Sequence, residues 1–220
     1  MTPVGFRLLN IRVRPLALAL AAGLALADGS IVTLALPSIL PELDTSVDGV
    51  AAVIGVYTLV VAAGLLPLER LARGSSLRVV GAAGFALMAA ASLACAAADG
   101  IAGLLVARAL QALGGAAGLV AAFGLLGGGA VHGRRTWVTA AVIGTAVGPA
   151  LGGALTEAFS WRAIFLFQVP FAVAAAVAAL TGSAQPIGRA STPLPEKRFE
   201  LRPALGLTLV SAALSALLFL

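Results

Sequence analysis

Polar residues along this chain gather in short clusters, separated by apolar runs of 18 to 26 positions. A helix rises 1.5 Å per residue, so about 20 apolar residues cross the ~30 Å hydrocarbon core of a bilayer. The pattern predicts seven membrane-crossing helices. They run roughly from Pro15 to Leu40, Val50 to Leu68, Val79 to Ala98, Ile101 to Leu126, Trp137 to Phe159, Ala163 to Leu180, and Pro203 to Leu220. The seventh stops while still apolar, at Leu217, Leu218, Phe219 and Leu220, and reads as the front of a longer chain. The expected organisation is an N-terminal tail (1–14), a six-helix bundle (15–181), a Pro/Ser/Gly-containing linker (182–202) and a truncated seventh helix (203–220). The fold class is an all-α polytopic membrane protein.

The first span also carries the marks of a secretory signal: Arg7, Arg12 and Arg14, an apolar stretch, then Ala25-Leu26-Ala27. The apolar run resumes after Asp28 as Ile31 to Leu40, so the segment is read as a full span. Orientation follows from the Lys and Arg residues flanking each span. Alternate connections hold Arg7, Arg12 and Arg14; Arg70, Arg73 and Arg78; Arg134 and Arg135; and Arg189, Lys197, Arg198 and Arg202, which is 12 of the 14 basic residues. The opposite connections hold Glu42, Asp44, Asp48, Asp99 and Glu157, with only Arg162 basic. This places the N-terminus and the 182–202 linker on the cytoplasmic side of a cell membrane. The alternation supports the span count independently of hydropathy.

Composition agrees with lipid as the solvent. Hydrophobic residues make up 60% of the 220 positions and charged residues 10%, against roughly 25% charged in a soluble domain; the mean hydropathy is +1.07. A net charge of +5 raises nucleic acid as a partner, but the basic residues sit between apolar runs and orient the chain instead. Cys95 and His132 are the single cysteine and histidine. No intrachain disulfide and no zinc site of the usual Cys/His type can form, and a Ser-His-Asp triad is not supported. His132 is read as a solvated loop residue beside Arg134 and Arg135. Gly127-Gly128-Gly129 lacks the following Lys-Ser/Thr and preceding strand of a phosphate loop. No span carries a His/Glu/Asp cluster or a Ser–Lys or Ser–His pair, so an intramembrane enzyme is not expected.

Two charges lie inside spans. Asp28 is 13 residues into the first helix and Arg108 seven into the fourth, which enters from the other side. Both fall about 10 Å from the same membrane boundary. An isolated charge at that depth costs several kcal/mol, and pairing the two is the economical solution. One reading is a proton or substrate site in which protonating Asp28 frees Arg108; the other is a static pair joining two helices. Gln111, three residues after Arg108, shares its helix face and either binds substrate or cross-links helices. In the fifth span Gly144, Gly148 and Gly152 recur every four residues, with Pro149 and Gly153 among them. They form a smooth stripe for close helix approach, beside a proline that can bend the helix. Gating and plain packing both remain open for it, and Gly114 and Gly118 make a second small pair.

Three stretches resemble the major facilitator superfamily, specifically its 14-span drug–proton antiporter branch. The run Ala27-Asp28-Gly29-Ser30-Ile31-Val32-Thr33-Leu34-Ala35-Leu36-Pro37 is similar to the first-helix motif LDxTIVNVALP. The run Arg108-Ala109-Leu110-Gln111-Ala112-Leu113-Gly114 is similar to the fourth-helix RxxQGxG. Gly144 to Gly153 fits the antiporter motif GxxxGPxxGG, and Ser160 to Pro170 resembles SWRWIFLINVP. The resemblance implies a fold of two six-helix bundles, of which this chain carries the first, with the site between them. It further implies export of small, often lipophilic molecules driven by the proton gradient, with no other cofactor. Asp28 would be the acidic residue linked to proton coupling, Arg108 its neighbour, and the glycine stripe would face the second bundle and limit leak. The partners implied are a small-molecule substrate, protons, the lipid bilayer, and a second bundle in a longer chain or a partner subunit. The connection Leu68 to Arg78 departs from the family's GRLADRFGRRR: it is shorter, and Arg73 stands at the Asp position. That departure supports the alternative of a transport-inactive remnant or accessory membrane subunit.

Overall fold

A computed structural model describes residues 3–127 and 130–181. The second compact unit, Gly188–Leu220, and with it the expected 182–202 linker and seventh helix, lies outside the described residues.

Among the described residues seven helices follow one another: α1 Pro3–Thr33, α2 Leu36–Glu42, α3 Val47–Gly74, α4 Leu77–Ala96, α5 Ile101–Leu125, α6 Val131–Ala158 and α7 Arg162–Thr181. Six of them, α2 excepted, are long and apolar enough to cross a membrane. Their ends differ from the hydropathy reading in four places, each for a local reason. The first span, read as continuous to Leu40, breaks after Thr33. Pro37 has no N–H, and its ring collides with the carbonyl four residues back, so the chain restarts as the short α2 with proline in its first turn. At the other end α1 begins at Pro3, within the stretch read as a tail, because helix geometry continues where hydropathy has stopped. Similarly, His132, Arg134 and Arg135 form the first turns of α6 rather than a loop, and Glu69 and Arg73 close α3, leaving only Ser75 and Ser76 before α4. Ser46 caps α3, its hydroxyl accepting from the Gly49 N–H at 3.2 Å.

α4 packs against α5 and α7, α1 against α6 and α7, and α3 against α5. With lipid around them, helices associate through close contact rather than by escaping water, and small residues at the crossings permit it. α4 meets α5 at Gly84 and Gly114: a Cβ on Gly84 would stand 2.8 Å from the Gly118 nitrogen, and one on Gly114 2.7 Å from the Gly84 carbonyl oxygen.

The position of the α6 glycine stripe corrects one expectation. Gly144, Gly148 and Gly152 do not look outward towards a second bundle; they lie against α1. A Cβ on Gly144 would fall on the Gly23 carbonyl, one on Gly152 on the Ile31 carbonyl, and one on Gly148 3.3 Å from the Ala27 oxygen. Gly153 meets only the tip of Leu34, at 3.2 Å. The stripe has its partner within this bundle. The other side of α6, with Val138, Val142, Ile143 and Val147, is exposed, as are Leu59, Leu66 and Leu71 of α3. These two helices are the least buried of the six spans.

Besides a small cluster of Ala72, Val80 and Ala117, the apolar core has two large layers. One gathers Ile31, Ile39, Val53, Leu104, Trp161 and Phe165; the other gathers Leu18, Phe85, Met88, Leu119, Ala172 and Ala175. In α1, α4, α5 and α7 the stretch between the layers holds Asp28, Ser92, Arg108 with Gln111, and Gln168. A single polar stratum is thus sealed between two apolar ones.

At one end of the bundle a polar clasp ties three connections. Trp161 Nε1 donates to Glu42 Oε2 at 2.6 Å, Arg162 pairs with the other Glu42 oxygen, and Arg162 Nη2 donates to the Ala98 carbonyl at 3.1 Å. The Arg162 guanidinium also lies 4.3 Å over the Trp161 ring. Because Arg162 and Glu42 are partly open to solvent, Glu42→Gln is expected to cost only about 1 kcal/mol. That appears as a small drop in the melting temperature of the detergent-solubilised protein; a drop as large as for a core deletion would show that the clasp organises the fold.

Candidate functional site

Among the described residues, the sealed stratum holds the charged side chains that are fully buried, Asp28 and Arg108. Asp28, Arg108, Gln111 and Ser92 have no solvent exposure, and Gln168 has 1%. They come from four helices, with Arg108 and Gln111 sharing α5. Asp28 sits five residues from the end of α1, and Ser92 sits late in α4. Arg108 and Gln111, three apart on α5, point the same way, and Gln168 sits one turn past Ile164 on α7.

The structure brings Asp28, Arg108 and Gln111 together. Arg108 Nη1 lies 2.5 Å from Asp28 Oδ2 and donates to Gln111 Oε1 at 2.7 Å. Arg108 Nε donates to the Val53 carbonyl at 3.1 Å, so α3 joins the site through its backbone. Its guanidinium carbon lies 4.3 Å from the centre of the Tyr57 ring and 5.6 Å from that of Phe165, which gives the cation two aromatic neighbours. Tyr57 is held in turn by its hydroxyl, which donates to the Ala25 carbonyl at 2.7 Å. Gly115 leaves room for it: a Cβ there would stand 3.0 Å from that oxygen. A buried ion pair must be compensated by such contacts, since desolvating two charges costs several kcal/mol each.

The amide chain extends the pair. Gln111 Nε2 donates to Ser92 Oγ at 2.9 Å and to Gln168 Oε1 at 3.5 Å, and Gln168 Nε2 donates to Asp28 Oδ1 at 2.8 Å. The Cys95 thiol lies 3.7 Å from Gln111 Oε1. Tyr57, Ser92, Cys95 and Gln168 were not legible as site members from hydropathy, because each is a single polar or weakly polar residue in an apolar run. Depth is the signal that finds Gln168: it lies six residues into α7, and Arg108 lies seven into α5, both helices entering from the same end.

Of the glycine motif, Gly148 packs against Ala27 and Ser30, on either side of Asp28; Pro149 lies on the exposed side of α6. Neither contributes a polar atom to the site. Among the described residues no group of three or more His, Cys, Asp or Glu side chains is placed to hold a metal ion.

A six-span helical bundle with an ion pair sealed at its centre defines a polytopic membrane protein organised around an intramembrane polar site. The sequence profile of the Major Facilitator Superfamily matches residues 18–220, and the chain belongs to that family. Among curated proteins it is similar to Multidrug resistance protein Stp of Mycobacterium tuberculosis (strain ATCC 25618 / H37Rv), with 34% identity over 149 residues, covering 65% of this chain and 28% of that protein. It is also similar to the putative multidrug resistance protein MdtD of Klebsiella pneumoniae (strain 342), 35% over 158 residues, 70% of this chain and 34% of that protein. The Tetracenomycin C resistance and export protein of Streptomyces glaucescens is 34% identical over 176 residues, 76% of this chain and 32% of that protein. The matched segment thus spans about a third of the length of these relatives.

Proposed function

We propose that this chain forms the first six-helix bundle of a secondary transporter that exports small, often lipophilic molecules against an inward flow of protons. The observation that carries the reading is the Asp28–Arg108 pair at zero exposure inside two spans, since ionisable groups at membrane depth are costly and mark ion or substrate pathways. The names of the relatives, resistance and export proteins, support the substrate class. In this reading Asp28 carries the proton, Arg108 and Gln111 respond to it, and the exposed faces of α3 and α6 meet a second bundle or partner subunit. The basic connections, the N-terminus among them, face the cytoplasm, and the protein resides in the cell membrane. It is not an enzyme, and the proton gradient is its only energy source.

The test is Asp28→Asn in the full-length protein, a substitution that keeps the shape and removes the charge. Uptake of a lipophilic fluorescent cation into energised inverted vesicles is expected to fall at least tenfold and to stop responding to an imposed pH gradient. Unchanged, gradient-driven uptake would sink the reading. The second reading, a transport-inactive remnant or accessory subunit, is favoured by the α3–α4 connection: Arg73 turns back onto Glu69 of its own helix at 2.6 Å instead of presenting an acidic residue. Wild-type vesicles without any gradient-driven uptake would support it.

A further inference from the structure

We propose that Gln168 is a positioning residue for Asp28: it selects Oδ1 as the oxygen that takes the proton, and it releases Gln111 when the proton arrives. The proposal rests on the reading of Asp28 as proton carrier given above.

The argument comes from the sense of the hydrogen bonds. Arginine only donates, so Gln111 must turn its oxygen to Arg108 Nη1, at 2.7 Å. The Ser92 hydroxyl hydrogen goes to the Met88 carbonyl at 2.8 Å, so Ser92 Oγ accepts from Gln111 Nε2 at 2.9 Å. The Gln111 amide is therefore locked at both ends. Its remaining N–H faces Gln168 and requires an oxygen there, at 3.5 Å, which leaves Gln168 Nε2 to donate to Asp28 Oδ1 at 2.8 Å. Asp28 Oδ1 accepts from Gln168 Nε2, while Oδ2 lies 2.5 Å from Arg108 Nη1 in an ion pair without hydrogen-bond alignment. The three hydrogen bonds among the four side chains each have one direction, and with the ion pair they close a ring that demands a carboxylate.

A proton on Asp28 turns an acceptor into a donor. On Oδ2 it would stand against Arg108, donor against donor; on either oxygen it cancels the charge that Arg108 pairs with. On Oδ1 it faces Gln168, whose carboxamide can rotate by half a turn and offer Oε1. The rotation brings Gln168 Nε2 against Gln111 Nε2. Gln111 cannot follow, because Arg108 and Ser92 hold it. The links given up are Gln111–Gln168, the longest in the ring, and the Gln168 Nε2 bond to the Ile164 carbonyl within α7. Proton uptake thus detaches α7 from α5 while keeping it attached to α1. The other groups around the site do not supply this switch. Arg108 from α5 is a fixed donor, the Tyr57 hydroxyl from α3 is engaged with Ala25 O, and Cys95 from α4 faces Gln111 rather than Asp28. α6 brings only Gly148 near, with no titratable group.

The experiment uses Gln168→Met in the full-length protein, which preserves length and apolar packing and removes the hydrogen bonds to Asp28, Gln111 and the Ile164 carbonyl. Losing a donor to a carboxylate favours the protonated form, so the half-maximal point of the pH–transport profile is expected to move up by about one pH unit. An unmoved profile, or a rate lowered equally at every pH, would show that Gln168 only packs, and the proposal would be overturned. Difference infrared spectroscopy gives a readout without transport: the protonated carboxyl band absent from Asp28→Asn should appear at higher pH in Gln168→Met than in wild type. A shifted band in a protein whose transport ignores Asp28→Asn supports the positioning role and overturns Asp28 as the coupling residue. An unshifted band overturns the positioning role whatever transport does. Should Gln168→Met not fold, Gln168→Asn, which withdraws the amide by one bond, is read in the same way.

Discussion

Arg108→Leu is expected to destabilise the bundle by about 3–5 kcal/mol, the scale for removing one member of a buried ion pair. Arg108 and Asp28 are both fully buried, 2.5 Å apart, so leucine leaves the carboxylate with a single remaining donor, Gln168. The Val53 carbonyl and Gln111 Oε1 lose a donor as well. The cost is mostly that of stranded partners rather than the worth of the pair, and this has a testable consequence. In Asp28→Asn/Arg108→Leu no charge is left behind, so the double variant should be clearly more stable than the sum of the two single losses implies. Thermal unfolding of the four proteins in detergent, followed by loss of the monodisperse species, measures the cycle. Strictly additive losses would mean that water or lipid headgroups reach Asp28, and that the pair is not sealed.

Much of this was legible in the sequence, and the limit falls at a definite physical boundary. Apolar run length sees the part of a helix that lipid surrounds. It therefore located α4, α5 and α7 to within about two residues at each end. It missed the water-side turns of α3 and α6, where Arg73 or Arg134 interrupts the run while the backbone continues. It also ran through Pro37, because proline is apolar enough to leave the run intact although its geometry ends the helix. Charges inside spans are rare enough to announce themselves, which is why Asp28 and Arg108 stood out and depth alone matched them. A neutral amide such as Gln168 or a serine such as Ser92 is cheaper to bury and common enough to pass unnoticed. Depth points to Gln168, but which helices become neighbours decides membership, and a linear pattern does not carry that information.

The glycine stripe illustrates the same boundary from the other side, since spacing gave its existence but not its partner. Its assignment to α1 leads to a ranking. Gly144→Ala and Gly152→Ala should each cost about 1–3 kcal/mol or more, because the new methyl group meets the Gly23 or Ile31 carbonyl, and backbone cannot step aside as a side chain can. Gly148→Ala should cost less: its nearest neighbours are Ser30 Cβ at 3.1 Å and Ala27 O at 3.3 Å, so a shift of a few tenths of an ångström suffices. Gly153→Ala should be neutral or stabilising, because the tip of Leu34 can rotate away and alanine gains up to about 1 kcal/mol in helix propensity. The measurement is the melting temperature of each variant in detergent. The reverse order, with Gly153 the most sensitive, would mean that the outward face of α6 carries the decisive contact. The expected order instead ties α6 to the helix that bears Asp28: α1 is gripped at Gly23, Ala27 and Ile31, so whatever moves α6 must also move the carboxylate.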